Sequence, residues 1–319
     1  MKKSISKVLK ITLPLGIGLG LVWFSIGKFN SEERIQLWNQ IVNADQNWIW
    51  LSILISIISH LSRAYRWGFL LNPIGYKSNT LVNFCALMVG YTTNLVIPRS
   101  GEFVKTGLVS KHSKIPYQKL FGTVITERLL DLVMLLLIVC VGFLMNTQLL
   151  IQYIETSKIQ PEKTLLLIGV ICITLIIGFL ILKKVEIAFF NKFKKMFNEL
   201  YEGVLSIFKL KNWLSFTFHT CFIWTCYVLM FYVVKFGVTG THELEISGVI
   251  IAFIAGAFAI STTNGGIGAY PIMVGLATSL FGIDKLNGEA YGWIIWGSQT
   301  ILNIILGLVC YIYLSIKSE

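Results

Sequence analysis

The sequence predicts an all-α polytopic membrane protein with about six full transmembrane helices and two re-entrant elements. Three observations predict it. Hydrophobic residues make up 55% of the 319 residues and charged residues only 13%, against about 25% charged in a soluble domain. Six stretches are apolar enough to cross a bilayer. Two more begin to cross and then break, at Pro98-Arg99-Ser100-Gly101-Glu102 and at Thr262-Thr263-Asn264-Gly265-Gly266-Ile267-Gly268. Broken hydrophobic segments in corresponding places of two halves point to the substrate site of a transporter. Backbone that leaves the helix at membrane depth must be buried in protein or line a wet cavity, because lipid cannot satisfy its polar groups.

The full spans expected are 11–26, 48–61, 129–145, 165–182, 213–234 and 291–316. A span needs about 20 residues, so several of these must extend into their flanks. The start of the chain is basic and runs into 11–26. No A-x-A-like cleavage site follows before Asn30, so this run reads as a span rather than a signal peptide. Trp23, Trp48, Trp50, Trp67, Trp213 and Trp293 stand near span ends, where interfacial aromatics belong. The six cysteines lie in apolar runs with no C-x-x-C pair, so they read as small buried hydrophobes rather than metal ligands or a disulfide framework.

Topology follows from the basic residues. The formal charge of +11 marks cytoplasmic loops in a membrane protein rather than a nucleic-acid surface. With a cytoplasmic N-terminus and both broken segments re-entrant, 21 of the 27 lysines and arginines fall inside. A full crossing by 81–97 would put Lys105, Lys111, Lys114 and Lys119 outside, so the positive-inside bias favours re-entry. The chain then reads as one transmembrane domain, 1–319, with a first half-repeat over 1–147. Residues 148–212 hold the first span of the second half and a basic amphipathic helix at 183–211, and 213–319 complete that half. The helix reads either as an interfacial helix beside anionic lipid or as a surface linker. Each half runs span, span, re-entrant element, span, entering from opposite faces. Such an inverted repeat places a shared site near the midplane.

Three groups of charge sit where charge is expensive. Arg63 and Arg66 are three apart on one helical face; they either snorkel to the interface or line a cytoplasmic entrance. Arg99, Glu102 and Lys105 follow Pro98, which can stop a helix, and Gly101, which allows a tight path. A helix starting there would offer free N–H groups to an anion, with Arg99 holding a phosphate; an ordinary cytoplasmic loop is the alternative. Glu127, Arg128 and Asp131 open a long apolar run, with Glu127 and Asp131 stacked at i and i+4. Asp131 should lie inside the membrane, where a carboxylate is paired, protonated or functional. The summed charge of these groups is positive and suits a lipid phosphate. The second break carries no charge. Asn264, Gly265, Gly266 and Gly268 either form an anion nest or merely permit close helix packing.

No catalytic or metal set emerges. His60, His112, His219 and His242 fit no H-E-x-x-H pattern, there is no G-x-S-x-G elbow, and the glycine loop lacks P-loop spacing. No enzyme activity and no cofactor are expected.

The three motifs together, Pro98-Arg99-Ser100-Gly101-Glu102, Glu127-Arg128-Leu129-Leu130-Asp131 and Asn264-Gly265-Gly266-Ile267-Gly268-Ala269, resemble the lysylphosphatidylglycerol synthase transmembrane (flippase-like) family over about residues 10–316. The resemblance implies a membrane fold with re-entrant elements and a lipid-translocating role in members fused to an aminoacyl-lipid synthase. It gives Arg99, Glu102, Glu127, Arg128, Asp131 and the 265–268 loop a cavity role. The soluble transferase domain is not present after Glu319, so lysyl-lipid synthesis is not expected. Tyr270-Pro271 stands where many members carry a glutamate, which leaves the substrate open.

The expectation is a flippase or headgroup transporter for a phospholipid or isoprenoid lipid, in the bacterial inner or plasma membrane with both termini cytoplasmic. Arg99 and Arg128 would take the phosphate, with Arg63 at the entrance. Glu102 and Asp131 would orient the arginines or bind cationic charge. The expected partner is a membrane lipid with an anionic headgroup, and a homo-oligomer and a lipid-modifying enzyme are further candidates. The alternatives are a non-transporting subunit that supports a lipid-modifying glycosyl- or aminoacyl-transferase, and a membrane-embedded enzyme using Glu127 and Asp131.

Overall fold

The computed structural model describes residues 20, 22–24, 27–148 and 212–317. The expected spans at 11–26, for the most part, and at 165–182 lie outside the described residues, as do the amphipathic helix at 183–211 and Cys172. The described residues are helical, with no strand among them. The chain divides into two compact units, one of Met1–Arg128 with Leu210–Glu319 and one of Leu129–Lys209. The helix Tyr117–Met145 begins in the first unit and ends in the second; every other described helix belongs to the first.

The helices are α1 (Ser31–Val42), α2 (Gln46–Leu71), α3 (Thr80–Val96), α4 (Gly101–Ser113), α5 (Tyr117–Met145), α6 (Trp213–Val234), α7 (Ile246–Thr262), α8 (Ala269–Ser279) and α9 (Lys285–Ile316). Among the described residues four stretches are long and apolar enough to cross a membrane: Gln46–Ile74, Tyr117–Met145, Trp213–Val234 and Lys285–Ile316. Three of them extend well past the apolar cores at 48–61, 129–145 and 291–316. In each case a polar flank continues the helix and carries buried charge.

Local chemistry sets the ends. Asn30 caps α1 in a reciprocal box with Glu33. Asp45, Asn79 and Asp284 each accept an N–H two residues on, at the starts of α2, α3 and α9. Pro73 turns the chain after α2 through a short 3₁₀ turn, and Gly75 follows in the left-handed region.

The two interruptions are both helical hairpins. In the first, α3 ends at Val96 and α4 starts at Gly101. Gly101 N–H is taken by Asn94 Oδ1 at 2.7 Å, so the side chain of one arm caps the other. Gly101 lies against Gly90, and Lys105 also packs near Gly90, so the arms run antiparallel. The left-handed residue of this turn is Arg99, at φ 61°, not Gly101. Gly101 is needed for closeness instead: a Cβ there would strike Asn94 Cγ at 2.7 Å and the Gly90 carbonyl. In the second hairpin, α7 and α8 are joined through Gly265, Gly266 and Gly268, at φ 65°, 81° and 70°. Side chains rarely adopt that region, so the turn requires its glycines. Gly256 faces the Tyr270 ring and Gly248 faces Phe281, which makes these arms antiparallel too.

The long helix α9 braces both hairpins. Trp296 Nε1 donates to Gly265 O at 2.8 Å, and Thr92 Oγ1 donates to Asn303 O at 2.7 Å. Gly307 admits Thr92, Gly292 admits Pro271, and Gly288 lies against Gly275. Small residues at crossings are how membrane helices gain close packing where no hydrophobic drive exists between them.

Burial is arranged for lipid rather than water. On α2 the buried stripe is Ser52, Ser56, Ser59, Arg63 and Arg66, while Trp50, Leu54, Ile58 and Leu61 are exposed. The same holds on α9, where Ile301, Ile305, Leu308 and Ile312 face outward. Of the cysteines, Cys85, Cys226 and Cys310 are buried as expected. Cys140 and Cys221 are exposed on apolar helices, which corrects that expectation for those two.

Two substitutions in α4 separate packing from propensity. Gly101→Ala is expected to cost about 1–3 kcal/mol through overpacking. Gly107→Ala, whose added methyl meets nothing within 4 Å, is expected to be neutral or stabilising by up to about 1 kcal/mol. Thermal unfolding of the two variants in one detergent checks the contrast.

Candidate functional site

The most concentrated chemistry lies where α2, α4, α5 and α6 converge, around the carboxylate of Glu127. Arg63 Nε stands 2.9 Å and Arg66 Nη2 3.2 Å from Oε1, and Lys105 Nζ stands 2.7 Å from Oε2. The side chains of Arg63, Arg66, Lys105 and Glu127 are between 1% and 4% exposed. Three cations therefore share one carboxylate away from water. At the rim Arg128 Nη2 pairs with Glu102 Oε1 at 3.0 Å and lies 4.0 Å from Glu127 Oε1. Arg128 is 42% exposed and Glu102 26%. Lys105 Nζ also lies 3.8 Å from Glu102 Oε2, so Glu102 links the rim to the centre.

Each of the three buried cations has a second support. Arg63 Nη1 donates to Tyr227 Oη at 2.9 Å and Arg66 Nη1 to Thr220 Oγ1 at 3.0 Å, both on α6. Lys105 Nζ sits 4.3 Å from the centre of the Trp67 ring, and Trp67 Nε1 donates to Thr123 Oγ1 at 2.9 Å. Arg66 also lies over the Phe216 ring. Ser62 and His219 join α2 to α6 at 2.8 Å. Desolvating an ion is costly, and attraction repays it only with good geometry and further hydrogen bonds. The centre meets that condition through α6 and Trp67.

The position along the helices follows from spacing. Glu127 is ten residues into α5 and Arg66 five residues from the end of α2, or about 15 Å and 7.5 Å of helix. The cluster is therefore inside the span and displaced toward one end of it. Its four cations and two carboxylates leave a net charge of two positive.

Other residues marked by the sequence fall elsewhere. Arg99 is exposed at the first turn and joins no ion pair among the described residues. Asp131 is buried one helical turn beyond Glu127, in the part of α5 that belongs to the second unit. Neither arginine of α2 snorkels: both are buried on Glu127, and Arg63 is not an exposed entrance residue. Asn264 is buried, and its Nδ2 donates to Leu95 O at 3.3 Å. Gly265 lies close enough to Leu95 that a Cβ would meet it at 3.2 Å. The two hairpins thus touch each other close to their tips, three residues before Pro98.

Sequence reasoning misses Thr220 and Tyr227, although Phe216, Thr220, Ile223 and Tyr227 repeat at three- and four-residue steps on α6. It also misses a second ion pair. Glu289, fully buried just past the first turn of α9, pairs with Lys28. Beyond the end of α6, Lys235 donates to Leu244 O at 2.7 Å, and burial lowers its pKa from the ordinary lysine value. Among the described residues no three His, Cys, Asp or Glu side chains converge as metal ligands would.

Paired broken-helix hairpins, apolar outward faces and an internal charge cluster among the described residues define a polytopic membrane protein. The family model for the lysylphosphatidylglycerol synthase TM region matches residues 11–307, and the chain belongs to that family. It is 25% identical over 183 residues to UPF0104 membrane protein MJ1595 of Methanocaldococcus jannaschii, covering 56% of this chain and 51% of that protein. It is 28% identical over 181 residues to UPF0104 membrane protein PH1989 of Pyrococcus horikoshii, covering 56% of this chain and 48% of that one. The chain thus spans about half the length of the curated relatives it matches. No solved structure matches.

Replacing Glu127 tests the energetics of the centre. Glu127→Gln keeps the shape but leaves three buried cations uncompensated, and is expected to cost about 3–5 kcal/mol. Arg128→Gln removes a half-exposed pair and is expected to cost no more than about 1 kcal/mol. Denaturation midpoints in detergent distinguish the two.

Proposed function

We propose that this chain is a lipid flippase or headgroup transporter, with the lipid's phosphate handled at the Arg128–Glu102 rim of the Glu127 centre. The observation that carries the reading is a net positive cluster buried inside membrane-spanning helices. Charge in such a place is expensive and is usually functional. The inner cations Arg63, Arg66 and Lys105 are held by Glu127 and α6. They supply positive potential while the more accessible Arg128 meets the ligand. Arg99, exposed at the tip of the first hairpin, is a second phosphate contact, and Glu102 orients Arg128 or faces a cationic headgroup. The acyl tails stay outside, along the apolar faces of the helices.

In this reading the α3–α4 and α7–α8 hairpins are re-entrant and belong to an inverted repeat. The touching tips at Leu95, Asn264 and Gly265 support that arrangement, and so does the positive-inside count. The glycine tip forms part of the path for the headgroup. Asp131, one turn deeper on α5, is a candidate for binding cationic charge or a coupling proton. The chain performs no covalent chemistry in this account. The membrane is a bacterial inner or plasma membrane with both termini cytoplasmic.

A second reading is favoured by the family's description as the membrane region of a synthase: a subunit that supports a lipid-modifying enzyme without moving lipid itself. One experiment separates them. Purified protein in liposomes is assayed for transbilayer movement of labelled anionic and zwitterionic lipids. The transporter reading expects movement by the protein alone, slowed at least about tenfold by Arg128→Gln and by Arg99→Ala, since each removes a charge-assisted contact of about 1.5–3 kcal/mol. Both residues are exposed enough that the fold should survive. No movement without a partner enzyme would support the subunit reading and contradict transport.

A further inference from the structure

A second basic site lies apart from the Glu127 centre, at the open end of the α3–α4 hairpin. There the start of α3, the end of α4 and the end of α9 enclose a bowl of about 400 Å³, lined by Lys77, Asn79, Lys111, His112 and Lys317 among others. The three lysines come from three separate stretches of chain. Among the described residues none of them forms an ion pair and no carboxylate lines the bowl. Three ammonium groups around one cavity repel each other, and an anion bridging them removes that cost.

The bowl is held in shape by its own wall. His112 Nδ1 is 2.8 Å from Leu108 O and Nε2 is 3.0 Å from Leu314 O, so the imidazole ties α4 to α9. Both partners are backbone carbonyls, one on α4 itself and one on α9. Asn79 caps α3 through Leu81 N–H at 2.8 Å, and the positive end of that helix opens on the cavity. Leu81 and Ile316, next to this lining, are exposed apolar residues. The bowl therefore sits at the edge of the lipid-facing surface.

We infer that the bowl formed by Lys77, Lys111, His112 and Lys317 binds a phosphate group, carried either by an anionic membrane lipid or by a free phosphate compound. The inference goes beyond the transport reading and does not depend on it, because none of these residues touches the Glu127 centre.

The test uses the full chain and the variant carrying Lys77→Gln, Lys111→Gln and Lys317→Gln together. All three lysines are exposed, so the fold should be retained. Native mass spectrometry of protein released from nanodiscs of phosphatidylcholine with phosphatidic acid reads retained lipid. A parallel arm titrates inorganic phosphate against protein in neutral detergent. The expected result is lysine-dependent binding of phosphatidic acid, weakened roughly tenfold or more in the triple variant at low salt, and restored by the corresponding Lys→Arg changes. Lysine-dependent binding of inorganic phosphate alone also supports the site and assigns it to a free phosphate source. Equal binding of both probes by the wild type and the triple variant overturns it. Lipid-transport rates measured on the same variant keep the two proposals apart: transport unchanged with phosphate binding lost supports the bowl as a separate site.

Discussion

The structure turns on one carboxylate. Glu127 faces Arg63, Arg66 and Lys105 within 3.2 Å, and so pins α2 and α4 to α5 inside the region that must exclude water. At an effective dielectric of about 20 a single contact of this kind is worth about 4 kcal/mol before desolvation, and the desolvation cost of each ion is of similar size. Ionic attraction alone would barely break even. The hydrogen bonds from α6 and the Trp67 ring tip the balance, and they explain why a span otherwise rich in Phe and Val carries Thr220 and Tyr227 on one face. The same arrangement leaves the cluster net positive, with only Arg128 and Glu102 partly open.

Around this centre the fold resolves a second difficulty, that of ending two helices at the turn of a hairpin. Each break leaves backbone groups without helical partners. The first is closed by Asn94 capping Gly101 across the hairpin. The second is closed by Trp296 on the Gly265 carbonyl, and Asn264 reaches the Leu95 carbonyl. The partners are side chains of packed helices rather than further residues of the turns. The long α9 serves both hairpins, and its glycines let it approach each closely.

Much of this is legible in the sequence. Composition gives the membrane class, and Pro98 and the glycine run give the two breaks. The spacing of Glu127, Arg128 and Asp131 marks α5 as the carrier of buried charge. Other features depend on contacts that no local pattern encodes. Arg63 and Arg66 stand at the polar end of an apolar run, which is also what snorkelling residues do; only the tertiary position of Glu127 draws them inward. By residue type Gly101 is the conformational hinge of the first turn, whereas in the structure Arg99 takes the left-handed angle and Gly101 makes room for Gly90 and Asn94. Thr220 and Tyr227 look like ordinary members of an aromatic span until the arginines opposite them are known. Glu289 offers a usable signal, a lone acid opening a long apolar helix, and its partner Lys28 lies 261 positions away.

The central claim is that lipid phosphate meets the protein at the rim of the Glu127 centre. The most direct measurement is photo-crosslinking in membranes with an anionic phospholipid bearing a diazirine beside its phosphate, with adducts mapped by peptide mass spectrometry. The account predicts adducts on the α4–α5 residues around Glu102 and Arg128 that disappear in Arg128→Gln. Adducts confined to the outward apolar faces of α5 and α9, and unchanged by that substitution, would contradict it.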